Sequence, residues 1–222
     1  MNATVADVMT TRVIAVRRSA DFKQIVSVLR RYRVSALPVI NEAGRVVGVV
    51  SEADLLCKEA DARPAAGLIR LRWKLGEESK ANAVTAGQLM TSPAVTIHPG
   101  APVFVAARVM QERRIKRLPV VGRDGVLIGI VSRADVLSVY ERADSDILAE
   151  VLEIMASEFG LEAGQFAVTV TAGIVTIAGP VGRQDTALEL AARVRHADGV
   201  VAVRDRMELA EPPASSLSSA SR

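Results

Sequence analysis

Two short segments of the sequence combine a hydroxyl and a carboxylate at the spacing of one helical turn. They are Ser51-Glu52-Ala53-Asp54 and Ser132-Arg133-Ala134-Asp135. In the structural interpretation each is a capping box, in which the serine caps a helix and the aspartate reaches back to it. In the functional interpretation the same helix start offers amides to a phosphate, and the aspartate accepts hydrogen bonds from the two hydroxyls of a ribose. The two interpretations are compatible.

The two segments lie 81 residues apart, and the same offset relates basic side chains that could bind a phosphate. Arg33 corresponds to Arg114, and arginine grips phosphate with a bidentate fork. The competing structural interpretation is that a basic residue late in a helix offsets the helix dipole. Where the second copy has Lys116 and Arg117, the first has Ser35-Ala36. We therefore expect two unequal sites, one of which favours a charged ligand.

Few other residues in the chain could perform chemistry. There is one cysteine, Cys57, and there are two histidines, His98 and His196. An internal disulfide is therefore impossible, and no metal site is expected. The glycine-rich phosphate loops and the Gly-x-Ser-x-Gly motif are absent, so we expect no enzymatic activity. We interpret Cys57 as an inert thiol, His98 as a loop residue and additional phosphate candidate, and His196 as a helix end.

The composition limits the classes of function. The 222 residues carry 28 Lys and Arg against 25 Asp and Glu, so the net charge is only +3. This charge does not imply a strongly basic nucleic-acid surface, and 3% aromatic residues are too few for a platform that stacks bases. The sequence has neither a secretory signal pattern nor an apolar stretch of about 18 residues. Together with the single cysteine, this predicts a cytoplasmic protein.

Further correspondences at the same offset reveal an internal repeat. Val8-Met9-Thr10 matches Leu89-Met90-Thr91, Leu37-Pro38-Val39 matches Leu118-Pro119-Val120, and no gap is needed from residue 8 to residue 56. Two copies are too few for a solenoid, so we expect them to pack on each other.

Each copy has the residue pattern of a β-α-β-β-α unit. Alternating apolar residues predict a short first strand around Val16 or Ile97, followed by a helix that Ser19 caps in the first copy. Two apolar runs joined by a glycine turn then predict a hairpin in each copy, with Gly44 and Gly125 at positive φ. The serine–aspartate segments begin the last helix of each unit.

Two stretches predict little regular structure. Residues 61–83 separate the copies and predict a solvated linker, in which Arg70, Arg72 and Lys74 alternate with apolar residues. Residues 212–222 are rich in serine, proline and alanine, and this composition predicts a disordered tail.

The two copies resemble a pair of CBS motifs, which together form a Bateman module. The resemblance assigns one motif to residues 1–60 and the other to residues 84–143. It rests on the Met-Thr, Leu-Pro-Val and Ser-x-x-Asp pieces, which agree in order and spacing in both copies. It implies a mixed α/β fold of the α+β class, in which two β-α-β-β-α units pack as a pseudo-two-fold pair.

In the CBS family an adenosine-containing ligand binds in the cleft between the motifs. The resemblance implies that Asp54 and Asp135 hold the ribose, and that Ser51 and Ser132 approach the phosphate together with the cations named above. Backbone groups at the Leu-Pro-Val strand read the adenine and apolar side chains cover its faces, which implies Val16, Ala36, Pro38, Ile97 and Pro119. For each apolar side chain, core packing is the competing interpretation.

Residues 145–211 predict a separate small α-β-β-α-β domain, whose second helix Asp185 caps and Gly199 ends. This segment resembles a BON domain. The resemblance rests on Val168-Thr169-Val170, the Gly173–Gly179 stretch that follows it, and Gly199–Val203. It implies attachment to a phospholipid surface or to another macromolecule.

These resemblances imply a non-catalytic regulatory protein whose BON-like arm docks to a protein partner or to lipid. Its CBS pair is expected to bind a regulatory ligand, chosen from AMP, ADP, ATP, NAD, S-adenosylmethionine and cyclic dinucleotides, and to signal through conformation or dimer geometry. The family also implies a homodimer. Two alternatives stay open. One is an adaptor that only dimerises, and the other, which the modest charge disfavours, is a nucleic-acid binder that uses the basic residues at 70–74 and 113–117.

Overall fold

The computed structural model describes residues 3–61 and 83–209. The predicted tail, most of the predicted linker with its three basic residues, and the side chain of Cys57 lie outside the described residues. The described chain divides into two compact units. The first covers Thr4–Val136, and the second covers Ala3 and residues 137–209.

The first repeat folds as predicted, with a short helix added at its start. Its elements are α1 (Val5–Val8), β1 (Val16–Arg17), α2 (Phe22–Tyr32), β2 (Ala36–Ile40), β3 (Val46–Ser51) and α3 (Glu52–Asp61). β2 and β3 form an antiparallel hairpin, and β1 pairs with β2 in parallel. The hairpin turns at Gly44, whose φ of +74° confirms the need for glycine there.

The second repeat follows the same order. Its elements are α4 (Ala86–Leu89), α5 (Val103–Glu112), β4 (Arg117–Val121), β5 (Leu127–Ser132) and α6 (Arg133–Leu137). The predicted first strand is reduced to one parallel bridge between Ile97 and Val120. The backbone meets β4 only around Ile97, whose N–H and C=O both bond to that strand, and Pro99, which has no N–H to donate, follows two residues later.

Two predicted N-caps and one predicted helix end are wrong. The N-cap of α2 is Asp21 and not Ser19, because the Asp21 carboxylate accepts from the Gln24 N–H at 2.9 Å while the Gln24 amide oxygen accepts from the Asp21 N–H. In the second unit the second long helix has Arg183 as its N-cap, with Asp185 in the first turn. In both cases the carboxylate lies close to the positive end of the helix dipole. The same helix of the second unit ends at the C-cap His196 and not at Gly199.

The repeats exchange their first helices across a pseudo-two-fold axis. The Val5 N–H donates to the carbonyl of Ala101, and the Ala86 N–H donates to the carbonyl of Ala20, both at 2.8 Å. Helix α4, which belongs to the second repeat in sequence, thereby contributes Ala86 and Leu89 to the core of the first. The first repeat therefore does not complete its core alone, and the two repeats pack on each other as expected.

The same exchange continues into the segments that follow α1 and α4. Thr10 forms a two-way backbone bridge with Ile130, and Thr91 forms the equivalent bridge with Val49. The bridge at Thr91 holds the segment after α4 beside β3 of the first repeat.

The second unit has the predicted α-β-β-α-β order. Its elements are α7 (Asp144–Phe159), β6 (Ala167–Thr171), β7 (Ile174–Val181), α8 (Gln184–Arg195) and β8 (Ala202–Leu209). β7 is the central strand, antiparallel to β6 and parallel to β8. Both helices bury apolar side chains against one face of the sheet. Within residues 3–61 and 83–209, no helix combines the length and the apolar character needed to cross a bilayer.

Candidate functional site

Each predicted serine–aspartate segment forms a capping box where a strand passes directly into a helix. The Ser51 hydroxyl and N–H donate to one carboxylate oxygen of Asp54, at 2.7 and 2.9 Å. Ser132 makes the same two contacts with Asp135, both at 2.7 Å. This confirms the structural interpretation of the segments. It also means that a ribose hydroxyl at Asp54 would have to share that carboxylate with Ser51.

A cleft of about 320 Å³ opens beside the Asp54 box, between the two repeats. The first repeat contributes the starts of β2 and α3, and the second contributes the segments that follow α4 and precede β4. The lining residues are Ser35, Ala36, Val49, Ser51, Glu52, Ala53, Asp54, Thr91, Pro93, Ala94, Val95, Arg114, Ile115, Lys116 and Arg117. Six predicted site residues therefore meet in this cleft, namely Ser51, Asp54, Ala36, Arg114, Lys116 and Arg117.

Of the five predicted adenine contacts, only one lies in this cleft. Ala36 lines the cleft, whereas Val16 and Ile97 are each only 7% exposed and Pro38 and Pro119 are buried within their strands. Val16, Ile97, Pro38 and Pro119 are therefore not among the described residues that line the cleft.

Other residues supply the apolar wall of the cleft. They are Val49, Pro93, Ala94, Val95 and Ile115. Sequence reasoning missed Val49, Pro93, Ala94 and Ile115. The recurrent Met-Thr piece was the available sequence signal for this wall, since the segment after Met90 crosses to the first repeat. That it crosses in this direction follows only from the folded chain.

The cations are unequally distributed around the two boxes. The Asp54 cleft is lined by Arg114, Lys116 and Arg117. The repeat offset places Arg33 and Ser35-Ala36 at the equivalent positions beside the Asp135 box. The offset thus gives the Asp135 box one equivalent cation, Arg33, although Arg117 also interacts electrostatically with Asp135.

Arg33 and Arg114 share an unusual backbone conformation. Each follows the first long helix of its repeat with φ of +53° and +55° respectively. This left-handed region disfavours residues with a Cβ and is most often occupied by glycine at a helix end. An arginine at this position therefore costs backbone strain, and the guanidinium is the feature that glycine could not supply.

Arg117 reaches across the pseudo-two-fold axis to the first repeat. Its Nη2 donates to the Ser35 hydroxyl at 2.8 Å, and its Nη1 makes a long contact of 3.4 Å with the Ala36 carbonyl. The Nε of Arg117 is buried without a hydrogen-bond partner among the described residues. Burial lowers the pKa of this guanidinium, and the carboxylates of Glu52 and Asp135 act in the opposite direction.

The amides at the start of α3 are partly committed within the chain. The Ser51 N–H donates to Asp54, and the Glu52 N–H donates to the carbonyl of Ser35 at 3.0 Å. In the second repeat the Arg133 N–H donates to the carbonyl of Lys116 in the same way. An anion in the cleft would therefore meet the cations of the lining rather than these two amides.

The remaining candidates for chemistry lie apart. His98 is exposed, and His196 ends α8 with its Nδ1 2.7 Å from the carbonyl oxygen of Ala192. In the parts of the chain that the structure describes, no three His, Cys, Asp or Glu side chains are grouped as a metal site would require.

The second unit presents an exposed sheet face on the side away from its helices. In the register of the sheet, Thr169, Thr176 and Arg204 form one row, and Arg206 stands beside Ala178 in a neighbouring row. Both arginines are exposed.

Comparison with known proteins agrees with the repeat. The CBS domain model matches residues 5–60 and 86–142. The chloroplastic CBS domain-containing protein CBSX2 of Arabidopsis thaliana is 33% identical over 147 residues, which cover 60% of this chain and 62% of that protein. Uncharacterized protein MJ1426 of Methanocaldococcus jannaschii is 30% identical over 140 residues, which cover 56% of this chain and 83% of that protein. The match thus spans less than two thirds of CBSX2.

Two solved structures are similar over 60% and 64% of the chain. The crystal structure of CBSX2 in complex with AMP is 33% identical, with a TM-score of 0.49, over 60% of this chain and 92% of that one. The CBS domain pair of protein MJ0100, in complex with 5′-methylthioadenosine and S-adenosyl-L-methionine, is 22% identical with a TM-score of 0.51, over 64% and 98%. The second likeness shows a shared fold. Since the family model matches both repeats and they pack as a pair, the chain belongs to the CBS domain family and carries a tandem CBS pair, the Bateman module.

Proposed function

We propose that the CBS pair is a non-catalytic sensor that binds an adenosine nucleotide in the Asp54 cleft and signals through conformation or dimer geometry. One observation carries the proposal. The cleft joins a capping-box carboxylate of one repeat to three cations of the other. A ligand with a ribose at one end and a phosphate at the other would bridge the repeats.

Three groups of residues in the cleft contact different parts of the nucleotide. Asp54 accepts from the ribose hydroxyls, in place of or beside Ser51. Val49 and Val95 cover the faces of the base, and the backbone around Ala36 reads its edge. Arg114 and Lys116 contact the phosphate from the second repeat. In this scheme the Asp135 box is a weaker second site with Ser132 and Arg33.

The charge of the cleft favours phosphorylated ligands. Three cations attract phosphate, whereas they repel the sulfonium of S-adenosylmethionine. The 33% identical CBSX2 has been crystallised with AMP, which agrees with this preference. Among the expected regulatory ligands, AMP, ADP, ATP and NAD are therefore placed ahead of S-adenosylmethionine.

The other parts of the chain fit the same scheme as further proposals. The second unit acts as a BON-like arm that docks to a protein partner or to phospholipid, and two chains associate through their CBS pairs. The single cysteine suits the reducing cytoplasm, where we place the protein.

A thermal-shift panel of AMP, ADP, ATP, NAD and S-adenosylmethionine tests the sensor. At about 100 times its dissociation constant, a ligand stabilises the native state by roughly 2.7 kcal/mol. We expect Asp54→Ala to remove the shift and Asp135→Ala to retain most of it. The two variants are matched controls because each loses one capping box of the same geometry. A folded protein that responds to none of these ligands would contradict the proposal and favour the dimerising adaptor.

A further inference from the structure

The sulfur atoms of Met9 and Met90 each fill a slot that a glycine of the opposite repeat leaves open. A β-carbon on Gly48 would overlap the Met90 sulfur, and one on Gly129 would overlap the Met9 sulfur. Both glycines are buried. Each sulfur therefore lies directly against hairpin backbone, and the pseudo-two-fold axis duplicates the contact.

These two methionines are more open to solvent than the core methionines of the chain. Met9 and Met90 are half-buried, whereas Met110 of the same unit is 2% exposed and Met155 of the second unit is fully buried. Peroxides oxidise the methionine thioether to a polar sulfoxide, and they attack a side chain that solvent reaches before one that is enclosed. Among the described methionines of the CBS pair, Met9 and Met90 are therefore the ones open to a dissolved oxidant.

Oxidation would change the sulfur in both properties that this contact requires. A hydroperoxide transfers one oxygen atom to the thioether, so an S–O bond forms and the O–O bond breaks. The sulfur loses two electrons, and the peroxide is reduced to an alcohol, or to water where it is hydrogen peroxide. The new oxygen adds volume where the sulfur already touches backbone, and it brings a polar acceptor into an apolar contact. The oxidised sulfur therefore no longer fits beside the glycine.

The residue after each methionine holds the crossing segment, which follows α1 or α4, to the hairpin of the opposite repeat. Thr91 and Val49 exchange two backbone hydrogen bonds of 2.9 and 3.1 Å, and Thr10 exchanges two with Ile130, of 3.0 and 2.9 Å. A sulfur that leaves its slot shifts the adjoining threonine and weakens both bonds of its bridge. Since Thr91 and Val49 also line the Asp54 cleft, the wall of that cleft moves with the first of these bridges.

We propose that Met9 and Met90 are paired oxidation sites, at which a hydroperoxide forms the sulfoxide and thereby releases the crossing segments from the hairpins. In the reduced chain the sulfur lies in the glycine slot and the bridge beside it is closed. In the oxidised chain the sulfur leaves the slot and the bridge opens. A dithiol reverses the change when the oxygen departs as water and the dithiol becomes a disulfide. Methionine sulfoxide reductases catalyse this reversal.

The first test follows each methionine of the full chain during treatment with hydrogen peroxide, by mass spectrometry of its proteolytic peptides. We expect Met9 and Met90 to gain one oxygen atom about tenfold faster than Met110 and Met155. Methionine sulfoxide reductases with a dithiol should then remove it. If Met9 and Met90 oxidise no faster than the two enclosed methionines, the proposal is overturned.

The second test measures amide hydrogen exchange at Thr10 and Thr91 before and after peroxide, with urea unfolding of the same samples. Oxidised wild type should exchange both amides about tenfold faster and unfold at a lower urea concentration. Met90→Leu, whose side chain is apolar and of similar volume but has no sulfur, should keep Thr91 protected while Thr10 is still released. Met9→Leu should do the reverse. Met207→Leu, at a half-buried methionine of the second unit, is the matched control and should behave as wild type.

Complete oxidation of both methionines with unchanged exchange and unchanged unfolding would overturn the release of the crossing segments. Equal loss of protection at both threonines in the two leucine variants would overturn it as well, because each sulfoxide should act on its own bridge. Wild type before and after peroxide carries the comparison even where a variant fails to fold. No nucleotide is present in either test, so neither result depends on the proposed function of the Asp54 cleft.

Discussion

The sulfur of Met90 occupies the space that a β-carbon on Gly48 would need. Met9 stands in the same relation to Gly129 across the pseudo-two-fold axis. Each methionine precedes a threonine that bridges to the hairpin of the other repeat. The glycine in each hairpin therefore admits the crossing segment of the opposite repeat, and in the case of Gly48 this segment continues into the wall of the cleft.

Replacement of either glycine by alanine is expected to destabilise the CBS pair. Overpacking in a filled core costs about 1–3 kcal/mol, and we expect Gly48→Ala and Gly129→Ala to lower the free energy of unfolding by that amount. Gly100→Ala is the control because open space surrounds the position. In Gly48→Ala/Met90→Ala the two losses of stability should be less than additive, because the methionine side chain no longer meets the added methyl group. Equal stability of all variants in chemical denaturation would contradict the close approach.

Arg114→Gly should raise the stability of the protein and lower its affinity for the ligand. Arg114 has a left-handed backbone, so Arg114→Gly relieves strain and is expected to raise the free energy of unfolding by about 0.5–1 kcal/mol. The same change removes a proposed phosphate contact and should lower AMP affinity about tenfold.

The pseudo-equivalent Arg33→Gly provides the matched control. It relieves the same strain at φ of +53°, so its gain in stability should be similar, whereas AMP affinity in the Asp54 cleft should not change. A lower free energy of unfolding in both variants would contradict the strain argument and show that the two arginines stabilise the fold.

The carboxylate of Asp144 holds the hairpin of the second unit. Its two oxygens accept from the N–H groups of Ala172 and Gly173, both at 2.8 Å, in a turn whose φ values are +50° and +72°. Asp144→Ala leaves two turn amides without this acceptor and should lower the stability of the unit by about 1–3 kcal/mol. The exposed Asp146→Ala, in the same helical turn, is the control in thermal unfolding. Equal melting temperatures of the two variants would rule out this role for Asp144.

The stability that the Thr4–Asp7 cap gives to α1 should depend on pH. The hydroxyl and N–H of Thr4 donate to one oxygen of Asp7 at 2.7 and 2.8 Å, and these bonds lower the pKa of Asp7 below its usual value. Because folding lowers the pKa of Asp7, its ionised carboxylate stabilises the fold at pH values above the pKa of the unfolded state. This stabilisation is lost as the pH falls through the pKa of the folded state.

NMR titration of the Asp7 carboxyl measures this pKa directly. Thr4→Ala removes the hydroxyl and is expected to move the pKa of Asp7 back toward the ordinary aspartate value. Thr11→Ala, an exposed threonine outside this cap, should leave it unchanged. An Asp7 pKa that does not respond to Thr4→Ala would show that the hydroxyl contact is absent in solution.

Local patterns predicted the elements well and their ends less well. The hairpins turn at Gly44 and Gly125 with positive φ, because a tight turn leaves little choice of residue. Helix starts were harder to predict, since serine and aspartate are both good caps and neighbouring candidates compete. Asp21 prevails over Ser19 because Gln24 stands three residues after it and completes the box.

The repeat, the order of elements and the two serine–aspartate boxes could all be predicted from the sequence alone. All three depend on interactions over a few residues or on identity at a constant offset. The sequence also indicated that the two boxes are unequal, since Lys116 and Arg117 replace Ser35-Ala36.

Which residues meet at the cleft could be known only from the folded chain. The exchange of α1 and α4 between repeats brings Thr91 and Val95 to the Asp54 box, although these residues lie far from it in sequence. It also brings Arg117 Nη2 to 2.8 Å from the Ser35 hydroxyl. Such long-range pairings follow from how two half-complete cores cover each other's apolar surface, and no local pattern carries that information.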